Sequence, residues 1–166
     1  MRIPRHHLFV CTGPHCGEKG SPALMKGFRV AAEKLGVEEQ IMVTNMGSVY
    51  LCDLGPVVLV YPDDVWYTHV LPPDCEEIVR EHLIGGRPVE RLRLLPSAPA
   101  ERARQEIYRA LFAEGKMDEE AFVRLASAHG FGKDWVEEQL KRKFVNKAPD
   151  GTITPTAKMK ERYETA

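Results

Sequence analysis

Val57-Val58-Leu59-Val60-Tyr61-Pro62-Asp63-Asp64-Val65-Trp66-Tyr67-Thr68-His69-Val70 is the clearest β signal in this 166-residue chain. Two runs rich in β-branched and aromatic residues, Val57–Tyr61 and Val65–Val70, flank a Pro-Asp-Asp turn, the pattern of a β-hairpin. Upstream lie a short strand, Gln40–Thr44, and an irregular loop, Asn45–Gly55. Earlier still, Arg5–Cys11 reads as a short buried strand centred on Leu8, Phe9 and Val10, running into turn chemistry at Thr12-Gly13-Pro14-His15-Cys16-Gly17. The stretch between these strands predicts a helix. Ser21 serves as N-cap, Pro22 takes the first helical position, Leu24, Phe28, Ala31 and Leu35 recur at helical spacing, and Gly36 ends it. Downstream of the hairpin, Pro72 or Pro73 opens a second helix with Ile78, Val79, His82 and Leu83 on one side, stopped by Gly85-Gly86. The order β-α-β-β-β-α predicts a two-layer α/β domain with a mixed sheet.

The character of the chain changes after an extended stretch, Arg87–Leu95, and the linker-like Leu95-Pro96-Ser97-Ala98-Pro99. The boundary divides residues 1–95 from a helical C-terminal domain, 96–166. Amphipathic periodicity predicts helices over Ala100–Glu114, Asp118–His129 and Asp134–Phe144. Asp150-Gly151 marks a tight turn, and Thr154-Pro155 caps a short polar helix through Tyr163. This is the element order of a winged helix. Lys141, Arg142 and Lys143 cluster at the end of its third helix, where phosphate contacts would give salt-dependent DNA binding. The same helix begins with Asp134, Glu137 and Glu138, whose carboxylates would face phosphates in a groove, so a protein-docking module is the preferred reading.

A hydrophobic fraction of 43% and a charged fraction of 28% are those of an ordinary globular protein. The net charge of −1 divides evenly: 10 Lys/Arg against 12 Asp/Glu through Leu95, and 13 against 12 beyond it. Neither half is basic enough for charge alone to name a partner. Met1–Cys11 lacks the apolar core of a secretory signal, and no stretch approaches the roughly 20 apolar residues a membrane helix needs. A cytoplasmic location is therefore expected, and there a disulfide scaffold is disfavoured. Four cysteines, Cys11, Cys16, Cys52 and Cys75, remain to be explained.

Cys11 ends a strand, Cys16 follows across a loop containing Gly13 and Gly17, and Cys52 lies in a second loop before Asp53-Leu54-Gly55-Pro56 and the hairpin. Thiolates presented from glycine-containing loops, where backbone N–H groups can turn toward anionic sulfides, are what iron–sulfur chemistry asks for. Cys75, at the opening of the last helix, reads as a small buried hydrophobe.

Phe9-Val10-Cys11-Thr12-Gly13-Pro14-His15-Cys16-Gly17-Glu18-Lys19-Gly20-Ser21 resembles the first cluster loop of thioredoxin-like [2Fe–2S] ferredoxins, whose fold also occurs in the small cluster subunit of respiratory complex I. Cys52-Asp53-Leu54-Gly55-Pro56-Val57-Val58-Leu59-Val60-Tyr61-Pro62 is similar to the second loop and the strand after it. Val65-Trp66-Tyr67 and the stretch from Glu77 to Val89 match the final strand and helix. The resemblance covers about the first 95 residues. It implies a thioredoxin-like fold, a [2Fe–2S] cofactor, a single-electron carrier rather than an enzyme, a redox partner protein and a homodimer. Ferredoxins of this type occur beside cobalamin-pathway enzymes, which suggests a partner class.

Three cluster ligands carry over: Cys11, Cys16 and Cys52. The family's third and fourth ligands form Cys-x3-Cys, and with Cys52 as the fourth the third falls on Ser48. Three readings of that position stay open. Ser48 ligates iron as a harder oxygen donor; His15 replaces it, as imidazole does in Rieske centres; or the cluster has been lost and the domain is a cluster-free adaptor. A redox-sensing regulator with a DNA-binding tail is a further alternative. His6 and His7 face opposite ways along a strand and read as surface residues. Trp66 and Tyr67 read as sheet packing and dimer surface, and Lys19 as a solvated loop charge.

Overall fold

The structure, a computed structural model, describes residues 3–163. The chain forms two compact units, Met1–Leu94 and Leu95–Ala166.

The first unit is built on a four-stranded mixed sheet. Strand β1 (His6–Cys11) lies between β2 (Ile41–Met46), parallel to it, and β3 (Val58–Tyr61), antiparallel; β4 (Val65–Tyr67) completes the order β2-β1-β3-β4. The hairpin of β3 and β4 stands where the sequence predicts it, with Val58 opposite Tyr67. Helix α2 (Ser21–Lys34) and helix α3 (Asp74–Glu77, continuing as a wider π-helical stretch, Ile78–Ile84) pack on one face. Leu8, Val10, Val58 and Val60 of the sheet are fully buried against Leu24, Phe28, Ile78 and Val79. Burying apolar surface stabilises this layer by about 25 cal/mol per Å². The alternation of a strand leaves His7, Phe9, Leu59, Tyr61 and Trp66 around a hollow on the other face of this sheet.

Two local readings differ from the structure. The segment read as a turn contains a short helix, α1 (Pro14–Glu18): Pro14 sits in the first turn, where its missing N–H costs nothing. Ser21 is not the cap of α2. Gly20, with φ of 86°, occupies that position, and Ser21 is drawn inside the helix and fully buried.

The second unit has the order α4 (Pro99–Glu114), β5 (Met117–Asp118), α5 (Glu119–Ala128), α6 (Lys133–Lys141), β6 (Val145–Lys147), β7 (Thr152–Pro155) and α7 (Ala157–Tyr163). The winged-helix order holds, but the unit is not purely helical: a three-stranded antiparallel sheet, β5-β7-β6, joins the helices. These strands are two to four residues long, too short for a periodicity signal. Helix α6 stops at Lys141 because Lys143 adopts φ of 61°, which turns the buried pair Phe144 and Val145 into the core and the sheet. Thr154 and Pro155 lie in β7 rather than capping a helix; the residue after them, Thr156, accepts at its Oγ1 from the Met159 amide at 3.4 Å. Asp118 caps α5 by accepting from the Ala121 amide at 2.8 Å, an arrangement worth about 1 kcal/mol.

Candidate iron–sulfur site

The end of β1 creates the site. The Cys11 amide donates to the Val57 carbonyl at 2.9 Å, and the Thr12 amide to the Met46 carbonyl at 3.0 Å. Parallel pairing of β1 with β2 sets Cys11 beside Met46, so the chain leaving β2 passes the cysteine with Gly47, Ser48 and Val49. That chain then makes a 3₁₀ turn, Cys52–Leu54, and re-enters the sheet through Gly55-Pro56-Val57. Cys11 and Cys16 are each 2% exposed and Cys52 5%, so none of the three sulfurs is a surface thiol. Cys11 and Cys16 cluster with Val57, and Met46, Val49, Leu51 and Trp66 pack against them.

Backbone approaches from both sides. A Cβ on Gly55 would stand 2.6 Å from the Cys16 sulfur, and one on Gly13 would meet Ser48 at 3.4 Å. Gly55 has φ of −70°, a conformation open to any residue, so lack of space is the reason for glycine there.

The Cys16 S–H donates to the Cys11 sulfur, and the Gly13 and Val49 amides add to it, so the Cys11 thiol is brought down to about 6. Cys16 moves the other way, raised by the same hydrogen bond and by burial. As a thiol, Cys11 donates instead to the Gly47 carbonyl at 3.4 Å. A ready thiolate is what a soft metal needs.

Ser48 is exposed, yet its Oγ lies 3.6 Å from the Cys52 sulfur. The turn between them is closed by Tyr50 at φ of 59°, whose amide donates to the Ser48 Oγ at 3.4 Å. The structure thus brings together four of the sequence-derived candidates in two pairs: Cys11 with Cys16, and Cys52 with Ser48. His15 is placed differently. Its Nδ1 lies 4.0 Å from the Glu18 carboxylate on the same short helix. Cys75 lies in the main core under α2, with its thiol pushed up to about 12 by burial.

Among the described residues, no three His, Cys, Asp or Glu side chains gather as a single metal ion would require. Two donor pairs suit a two-iron group better, because each iron of a [2Fe–2S] cluster takes two protein ligands. Buried sulfurs, one thiol of lowered pKa and a glycine-lined backbone approach fit such a group; the serine is the one hard donor in the set.

Two features escaped the sequence reading. One is the close approach of Gly55 to Cys16. The other is Lys19, read as a solvated charge: its Nζ donates to the Asp53 carbonyl at 3.2 Å, and it is half-buried. Neither leaves a mark in local spacing.

A mixed-sheet α/β domain with a thiol site at the end of its first strand is the thioredoxin-like ferredoxin architecture. No protein-family model matches the chain. Individual proteins do. The 2Fe-2S ferredoxin of Clostridium pasteurianum is 36% identical over 102 residues, spanning 57% of this chain and 100% of that protein. The 2Fe-2S ferredoxin of Aquifex aeolicus (strain VF5) is 39% identical over 105 residues, 56% of this chain and 92% of that protein. The crystal structure of the wild-type thioredoxin-like [2Fe–2S] ferredoxin from Aquifex aeolicus superposes with a TM-score of 0.52 at 37% identity, covering 56% of this chain and 99% of that one. A cysteine-to-serine variant of the same ferredoxin gives 0.51 at 39% identity, covering 54% and 98%. The chain belongs to the thioredoxin-like [2Fe–2S] ferredoxin family.

Proposed function

We propose that the first unit is a single-electron carrier in which Cys11, Cys16, Cys52 and Ser48 hold a [2Fe–2S] cluster. When bound, such a cluster accepts and releases one electron at a time. The observation that carries the reading is the convergence of three buried thiols with the Ser48 hydroxyl, in two pairs, at one end of the sheet. Cys11 supplies the first ligand from the end of β1. Cys16 completes its pair from α1, and Gly55 lets the backbone close over it. Cys52 and Ser48 form the second pair from a turn held by Tyr50. Val57, Met46, Val49, Leu51 and Trp66 limit water, which sets the dielectric and hence the potential. His15 is the weaker candidate for the fourth ligand, because its ring is directed at Glu18.

The test is anaerobic purification followed by absorption spectroscopy and iron and sulfide analysis. A red-brown protein with about two irons per chain, bleaching on reduction, is expected. A colourless protein that also refuses reconstitution with iron and sulfide would overturn the reading in favour of a cluster-free adaptor.

The electron recipient is a redox partner protein. Pairing of two copies through the sheet face of Phe9, Leu59, Tyr61 and Trp66 is supported by the apolar hollow there. A protein-docking role for the second unit is supported by its charges. Lys133 pairs with Glu137 at 3.9 Å and Arg142, at the C-cap of α6, with Glu138 at 2.7 Å, so carboxylates stand among the cations along this helix. Among the described residues no helix is long and apolar enough to cross a membrane.

A further inference from the structure

We propose that Lys19 raises the reduction potential of the first unit by fixing one positive charge between its two ligand loops; this rests on the [2Fe–2S] reading above. Lys19 follows Cys16 by three residues and closes α1, its amide donating to the Cys16 carbonyl at 3.1 Å. Its side chain then crosses to the other loop, where Nζ donates to the carbonyl of Asp53 at 3.2 Å. Asp53 directly follows Cys52 and is itself buried. One residue thereby touches the ligand Cys16 with its backbone and the neighbour of Cys52 with its cationic tip. A lysine held at both ends keeps its charge in place, whereas a solvated one spreads it over many rotamers.

The electrostatic sign follows. One-electron reduction adds one negative charge at the site. A fixed cation stabilises the reduced state more than the oxidised state, so it raises the potential. Besides Tyr50 and the cysteines, the other ionisable side chains on the adjoining segments are His15 and Glu18, which face each other at 4.0 Å, and the acidic side chain of Asp53. No second lysine or arginine occurs in either loop, between residues 12 and 20 or between 47 and 56. Lys19 is therefore their sole fixed cation.

The hydrogen bond to Asp53 offers a competing explanation, a tether with no electrostatic part, and substitutions separate the two. Lys19→Gln keeps an N–H donor and loses the charge; Lys19→Arg keeps the charge; Lys19→Met loses both. Each protein is first assayed for iron and sulfide, and its midpoint potential is then measured by dye-mediated titration. Gln and Met variants are expected to bind iron as the parent does and to shift the reduction equilibrium about tenfold toward the oxidised form, about 59 mV for one electron. The Arg variant is expected to stay near the parent. A Gln variant with the parent's potential, or an Arg variant that falls with it, overturns the proposal. So does loss of iron from the Gln variant, which would give Lys19 a role in retaining the cluster rather than in setting its potential. A parent without iron overturns the cluster reading itself, and the iron assay distinguishes that outcome from failure of the Lys19 proposal alone.

Discussion

The Ser48 hydroxyl oxygen lies 3.6 Å from the Cys52 sulfur, across a turn whose other partner is the Tyr50 amide at 3.4 Å. A residue at position 48 is thus delivered to the same point as a thiol, and its chemistry sets the quality of the second donor pair. Ser48→Cys exchanges a hard oxygen for a soft sulfur. The variant should keep its visible absorption longer in air than the parent, and its potential should rise. Ser48→Ala should lower iron content. If Ser48→Ala retains full iron while His15→Ala loses it, the fourth ligand is His15.

Gly55 and Cys16 make a second close relationship. A methyl group on Gly55 would stand 2.6 Å from the Cys16 sulfur and 3.7 Å from the Cys52 carbonyl oxygen. Gly55→Ala should therefore push Cys16 out of place, at a cost of about 1–3 kcal/mol as overpacking. Iron content after reconstitution should drop while far-ultraviolet circular dichroism stays that of the parent. Full iron loading of the variant would show that α1 can move to make room.

The pH dependence of stability centres on His82. The Val89 amide donates to the Tyr67 hydroxyl at 3.0 Å, and that hydroxyl donates to His82 Nδ1 at 2.9 Å, leaving Nε2–H directed at the Asp63 carboxylate at 3.6 Å. This arrangement needs a neutral imidazole. Burial holds the His82 pKa below its ordinary 6.5, against the opposing pull of Asp63. The unfolded chain then takes up the proton first. The contribution is fully present above about 6.5 and is lost as pH falls through the lower folded-state value. Melting temperature should decline over that range in the parent, and the decline should be shallower in His82→Gln. Parallel profiles would remove His82 as the cause.

Cys75 should behave as a core atom. Its side chain is 1% exposed, its thiol is pushed up to about 12 by burial, and a Cβ on Gly27 would stand 2.8 Å from its sulfur. Cys75→Ala should leave iron content and absorption unchanged and cost about 1–2 kcal/mol, read by chemical denaturation. Native Cys75 should resist alkylation until the protein unfolds. Loss of colour in the variant would place Cys75 in the site.

Much of this could be read along the chain. Val57–Tyr61 and Val65–Tyr67 announce a hairpin because each pleated run and its turn lie within a dozen residues. Helix α2 shows in its apolar spacing and in the Gly36 stop, where φ is 69°. The pairing of position 48 with Cys52 follows from a spacing confined to one turn. Local chemistry of this kind decides local structure, and it is printed in consecutive residues.

What the tertiary structure alone decided are relationships across distance. Parallel pairing of β1 and β2 sets Cys11 beside Met46, and so brings the Ser48–Cys52 loop to the first cysteine pair. The approach of Gly55 to Cys16, the reach of Lys19 to Asp53 and the seat of Cys75 beside Gly27 depend on loops and helices that meet only after the sheet has formed. The two-residue strand β5 exists only because β7 supplies its hydrogen-bond partners. Hydrogen bonds and packing act over a few ångströms in space with no regard to separation along the chain, so no local pattern records them.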